Sequence, residues 1–109
     1  MTEIREIKSI EDYNHLLEND NVVLKCSASW CFPCKVLGST IKSLNNDIIK
    51  NVVFGEIDIE EDFADTIVNE YNIRGVPVLL FFKNGELINR SVGNIPGPKI
   101  IEIINETYN

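Results

Sequence analysis

Val22-Val23-Leu24-Lys25-Cys26-Ser27-Ala28-Ser29-Trp30-Cys31-Phe32-Pro33-Cys34-Lys35 reads as a strand, a turn and the start of a helix. Its first five residues form an almost continuous apolar run, the pattern of an interior strand covered on both faces. Ser27–Pro33 is the turn, and Pro33 has the fixed φ that suits a first helical turn. Two thiols with two residues between them can close a small disulfide with little backbone movement. At a helix start, Cys31 faces unpaired N–H groups and the positive end of the dipole, and both stabilise a thiolate. Cys34, one turn on, can attack a mixed disulfide formed by Cys31 and release the reduced partner. Trp30 supplies a flat apolar wall beside the thiols.

Outward from this stretch, Glu3–Ile7 alternates as a short strand. Ser9 can cap a helix that runs to about Glu18, with Asp12 at the third position after it. The helix begun at Pro33 is expected to run to about Ile49. Val52–Ile57 is a strand, and a helix follows from around Asp62 to near Tyr71. Val78–Phe82 and Glu86–Val92 flank the turn pair Asn84-Gly85 and form a hairpin. Gly97-Pro98 opens a last helix whose Ile100, Ile101 and Ile104 fall at helical spacing, with Ile103 adding to that face. The order β-α-β-α-β-α-β-β-α predicts an α/β fold, its early strands parallel and its last two antiparallel. The expected architecture is a central mixed five-stranded sheet flanked by four helices. With 109 residues and no repeat or linker, residues 1–109 are expected to form one domain.

Composition narrows the function. Ten basic against 17 acidic residues leave a net charge of −7, which argues against nucleic acid and anionic membrane as partners. The apolar run around Val76–Phe82 is far too short to span a bilayer. The N-terminus lacks the basic flank and apolar core of a signal peptide, so a cytoplasmic location is expected. Three cysteines, at 26, 31 and 34, do not suggest a secreted disulfide framework. Cys26, inside an apolar strand, reads as a buried structural thiol. His15 reads as a surface residue, and one histidine with two close cysteines falls short of a zinc set, so no metal site is expected. The carboxylate-rich Glu56–Asp65 stretch reads as a solvated loop with charges at a helix start.

Trp30-Cys31-Phe32-Pro33-Cys34-Lys35 resembles the active-site motif of the thioredoxin family, with Phe32 where the usual glycine stands. Asn72-Ile73-Arg74-Gly75-Val76-Pro77-Val78 and the hairpin after it resemble the family's cis-proline strand, and Val92-Gly93 resembles the glycine region beside its substrate groove. The likeness covers essentially the whole chain and is weakest over the first 20 or so residues. It implies a thioredoxin fold and a protein-disulfide reductase with Cys31 as nucleophile and Cys34 as resolving thiol. It also implies a cis Val76–Pro77 bond, and a groove shaped by Trp30, Phe32, Pro33, Val76, Pro77 and Gly93, in which Val76 pairs with substrate as an added strand. Implied partners are disulfide-containing proteins and a separate thioredoxin reductase drawing on NADPH, with no bound cofactor and a monomeric chain. Alternatives are a thioredoxin-fold binding module, or a thiol oxidase or isomerase with a shifted redox potential.

Two departures bear on the chemistry. Lys25 stands where the family keeps a buried Asp behind the second cysteine, so it is a candidate pKa modulator, unless it merely carries its head out to water. Phe54 is expected where the family's nearby lysine stands, which leaves the usual charge pair reversed or absent. Phe32 adds an aromatic beside the thiol, either as a partner-selecting feature or as drift at a tolerant position. Gly38-Ser39 or its neighbours replace the proline that kinks the family's active-site helix, and a Gly/Ser pair can also permit a bend.

Overall fold

The computed structural model describes residues 2–109. Five strands, β1 (Ile4–Ile7), β2 (Asn21–Ser27), β3 (Val53–Asp58), β4 (Val78–Lys83) and β5 (Glu86–Val92), alternate with helices α1 (Ile10–Leu16), α2 (Phe32–Lys42), α3 (Asp65–Glu70) and α4 (Gly97–Tyr108). A single 3-10 turn, Asp62–Ala64, leads into α3. The strands form one sheet in the order β1-β3-β2-β4-β5. β1 and β2 both pair parallel with β3, while β4 pairs antiparallel with both β2 and β5. The sheet is therefore mixed, as expected, with β2 at its centre.

Local chemistry explains most element ends. The Ser9 hydroxyl accepts the Asp12 N–H at 3.1 Å and the Asp12 carboxylate accepts the Lys8 N–H at 2.9 Å, a reciprocal cap at the start of α1. That helix ends at Leu16, where the Asn19 side chain takes its carbonyl at 3.0 Å, two residues before the expected Glu18. Asn84 and Gly85 have φ of 52° and 82°, the paired positive values a two-residue hairpin turn needs. One expected boundary fails: α2 stops at Lys42 instead of near Ile49. Ser43 caps it, and the Asn45 side chain accepts the Asp47 N–H at 2.8 Å, so a local turn competes with continued helix.

Strand alternation divides the core. Val22, Leu24 and Cys26 of β2 face a layer closed by Tyr13 and Leu16 of α1 and Ile67 of α3. Val23 faces the opposite layer, with Phe54, Leu79, Phe81, Leu37 and Ile41 of α2, and Ile100 and Ile104 of α4. The Tyr108 hydroxyl donates to the Val22 carbonyl at 2.8 Å and ties the end of α4 to the central strand. On the first side a Cβ at Gly55 would lie 2.5 Å from Leu16 Cδ2, so α1 approaches β3 closely only because that residue is glycine.

Candidate active site

The interior strand delivers the site. β2 ends at Ser27, a short turn follows, and Cys31 becomes the N-cap of α2 with extended backbone, φ −88° and ψ 104°. Its sulfur accepts the Cys34 N–H at 3.2 Å, so the side chain occupies the place a capping oxygen usually fills. Pro33 lies in the first turn, which holds no acidic residue, so the field there is that of exposed N–H groups without an opposing carboxylate. Cys31 and Cys34 are joined as a disulfide, with Cα atoms 5.3 Å apart. Both are buried, at 3% and 1% exposure, in a small cluster with Ala28 against which Ile59 and Val76 pack.

The sequence-distant groove residues arrive at the same place. The Val76–Pro77 bond is cis, as the resemblance implies. Gly93, with φ 85°, donates its N–H to the Pro77 carbonyl at 2.9 Å, which joins the end of β5 to the loop before β4. Trp30 and Phe32, on either side of Cys31, are 67% and 73% exposed, and Val92, just before Gly93, is 71% exposed. Trp30 Nε1 donates to a Glu60 carboxylate oxygen at 2.8 Å.

Glu60 and Glu56 were read from the sequence only as members of a solvated acidic stretch. Both have specific partners. Lys25 is 3% exposed and its Nζ lies 2.6 Å from Glu56 Oε2. The residue paired with Lys25 across β2 and β3 is thus Glu56, not Phe54. Phe54 pairs with Val23 and Ile4 and packs in the apolar layer. The lysine does not carry its head out to bulk water but is held in an ion pair with Glu56. No motif announces Glu56; its role depends on the β2–β3 register, which a sequence does not display. Cys26 is fully buried and free, and burial pushes its thiol up to about 12. His15 lies at the surface beside Glu18. Among the described residues no group of three or more His, Cys, Asp or Glu is placed to hold a metal ion. No helix among them is long and apolar enough to cross a membrane.

Comparison with known proteins agrees with this geometry. The family model described as Thioredoxin matches residues 5–106. A thioredoxin from Mycoplasmoides gallisepticum is 31% identical over 102 residues, covering 93% of this chain and 99% of the relative. Thioredoxin C-2 from Corynebacterium nephridii is 37% identical over 79 residues, 72% of this chain and 71% of the relative. Among solved structures, a thioredoxin from Malassezia sympodialis superposes with a TM-score of 0.81 at 28% identity, covering 98% of this chain and 92% of the other. A mutant thioredoxin from Halobacterium salinarum reaches 0.85 over the same shares at 24% identity, which speaks to fold alone. With a Cys-x-x-Cys disulfide at the head of α2, a cis-proline loop packed against it and a matching fold, the chain belongs to the thioredoxin family and is a thiol–disulfide oxidoreductase.

Proposed function

We propose that the chain reduces protein disulfides, with Cys31 as nucleophile and Cys34 as resolving thiol. The Cys31 thiolate attacks a substrate disulfide, forms a mixed disulfide and releases one substrate sulfur as a thiolate. Cys34 then attacks the Cys31 sulfur, closes the Cys31–Cys34 bond and releases the second. Two electrons pass to the substrate, and the two thiol protons reach its sulfurs through solvent. Both electrons reside on the sulfurs, so the exchange needs no bound cofactor. The observation that carries this reading is Cys31 as N-cap, its sulfur hydrogen-bonded to the Cys34 N–H. An anionic sulfur strengthens that bond and gains from the helix dipole.

Trp30, Phe32, Pro33, Val76, Pro77 and Gly93 shape the groove, and an extended substrate segment pairs with the backbone at Val76. A separate reductase drawing on NADPH restores the dithiol. The chain acts as one domain over 1–109, as a monomer in the cytoplasm, where the unpaired Cys26 is at home. A net charge of −7 repels nucleic acid and anionic membrane.

Insulin reduction driven by dithiothreitol tests the reading. The protein is expected to accelerate it, Cys31→Ser to abolish the acceleration, and Cys34→Ser to accumulate the mixed disulfide. No acceleration by the unaltered protein, or full activity in Cys31→Ser, contradicts it.

A further inference from the structure

We propose that Lys25 is a positioning residue for the resolving thiol: its buried ammonium, held beneath α2 by Glu56, favours the thiolate of Cys34. The inference rests on the reductase reading and adds the group that sets how readily the second thiol ionises.

Lys25 is the only charged side chain among the buried residues described. Burying an ammonium costs several kcal/mol unless a partner offsets it, and Glu56 at 2.6 Å is that partner. Glu56 itself remains 34% exposed at its side chain, so water screens the carboxylate more than the ammonium. Strand alternation places Lys25 on the same face of β2 as Val23, the face α2 covers.

Gly38 shows where the head group lies. A Cβ at that position would sit 3.2 Å from Lys25 Nζ. Glycine inside a helix costs roughly 1 kcal/mol relative to alanine, and here it leaves the ammonium its space. Gly38 follows Cys34 by one helical turn on the same face, where Cβ positions are about 6 Å apart. The ammonium therefore lies under α2 about one helical turn from Cys34.

Other charges around this point are better solvated. An open cleft of about 510 Å³, lined by Lys25, Gly38, Ser39 and Glu56, is also lined by Lys35 and Lys42 of α2, Asp58 at the end of β3 and Glu61 after it. Glu6 of β1 and Lys8 just after that strand also line it and sit 3.5 Å from each other at the surface. Lys25, at 3% exposure, is the least exposed charge lining the cleft and is screened least. In the resolving step the Cys34 proton is lost to solvent. Its thiolate attacks the Cys31 sulfur, the Cys31–Cys34 bond forms, and the substrate sulfur departs with the electron pair of the broken bond. Lys25 takes no part in the proton transfer and stabilises the anion before attack. The same stabilisation favours the dithiol form over the disulfide wherever that form carries a thiolate.

The test equilibrates the protein, Lys25→Met and Glu56→Gln with a dithiothreitol redox buffer at pH 8.5, read by Trp30 fluorescence, and titrates thiolate formation in each. For Lys25→Met the equilibrium is expected to move about tenfold toward the disulfide, ~30 mV for a two-electron couple, with the thiolate midpoint moved to higher pH. Glu56→Gln, which removes the partner that holds the ammonium, is expected to move both in the same direction by a smaller amount. A folded Lys25→Met protein with unchanged equilibrium and midpoint, or shifts of opposite sign in the two variants, overturns the proposal. If Lys25→Met does not fold, Glu56→Gln decides: a shift toward the disulfide supports the proposal, and no shift or the reverse overturns it. Failure of the unaltered protein to reduce insulin removes the reductase reading itself, whereas reduction with unmoved variants removes only the role of Lys25.

Discussion

Cys26 and Cys31 belong to one strand–turn–helix unit, and their surroundings assign them opposite chemistry. Cys26 is sealed among Val22, Leu24 and Ile57, where desolvation pushes its thiol up to about 12, with Arg90 opposing weakly. Cys31 sits at a helix N-terminus and accepts an N–H. In the reduced native protein, iodoacetamide at pH 8 is expected to label Cys31 and leave Cys26 unlabelled, as peptide mapping would report. Labelling of Cys26 at the rate of Cys31 would contradict the assignment. A thiol raised on folding contributes stability that is intact below its ordinary pKa of about 8.5 and is lost as pH climbs from there toward the folded value. Urea midpoints are therefore expected to decline as pH rises above about 8.5, and less steeply in Cys26→Ala. Tyr13, also raised by burial and by its hydrogen bond to Tyr71, adds to the decline at still higher pH.

Elements are held in place by a few close approaches. Leu16 of α1 lies over Gly55 of β3 so closely that a methyl group there must displace it. Gly55→Ala is expected to destabilise the protein by ~1–3 kcal/mol, seen as a lower urea midpoint with an unchanged slope. An unchanged midpoint would mean that α1 shifts without penalty. The hairpin and α4 were legible in the sequence because Asn84-Gly85 and Gly97-Pro98 carry their own conformational instructions. The end of α2 was not, since the apolar residues Leu44 and Ile49 continue into a segment where Ser43 and Asn45 turn the backbone. The antiparallel course of β4 against β2 was not legible either, because strand–helix alternation leaves strand direction open once a connection carries a helix as short as α3.

At the scale of the molecule, the sheet order brings together what the chain keeps apart. β2 leads into the turn and helix that carry Cys31 and Cys34, β4 lies beside it with the cis-proline loop at its start, and β5 returns Gly93 to the Pro77 carbonyl. The cysteine pair could be read from the sequence because spacing, tryptophan, proline and helix start coincide within one short stretch. Val76, Pro77 and Gly93 became legible only through resemblance, and Glu56 and Glu60 not at all: Glu56 meets Lys25 through the β2–β3 register, and Glu60 meets Trp30 between the segments that follow those two strands. The proposed function rests on this convergence: a cysteine at a helix N-terminus, a second cysteine one turn away, and the cis-proline loop beside them.

The most direct test is the reduction potential of the Cys31–Cys34 couple at pH 7, followed through Trp30 fluorescence against glutathione or dithiothreitol buffers. One reversible two-electron transition is predicted, near −270 mV and raised by no more than about 40 mV through Lys25, within the reducing range of the family. A potential at or above about −180 mV, where disulfide isomerases work, or no reversible transition, would contradict the claim that this chain is a disulfide reductase.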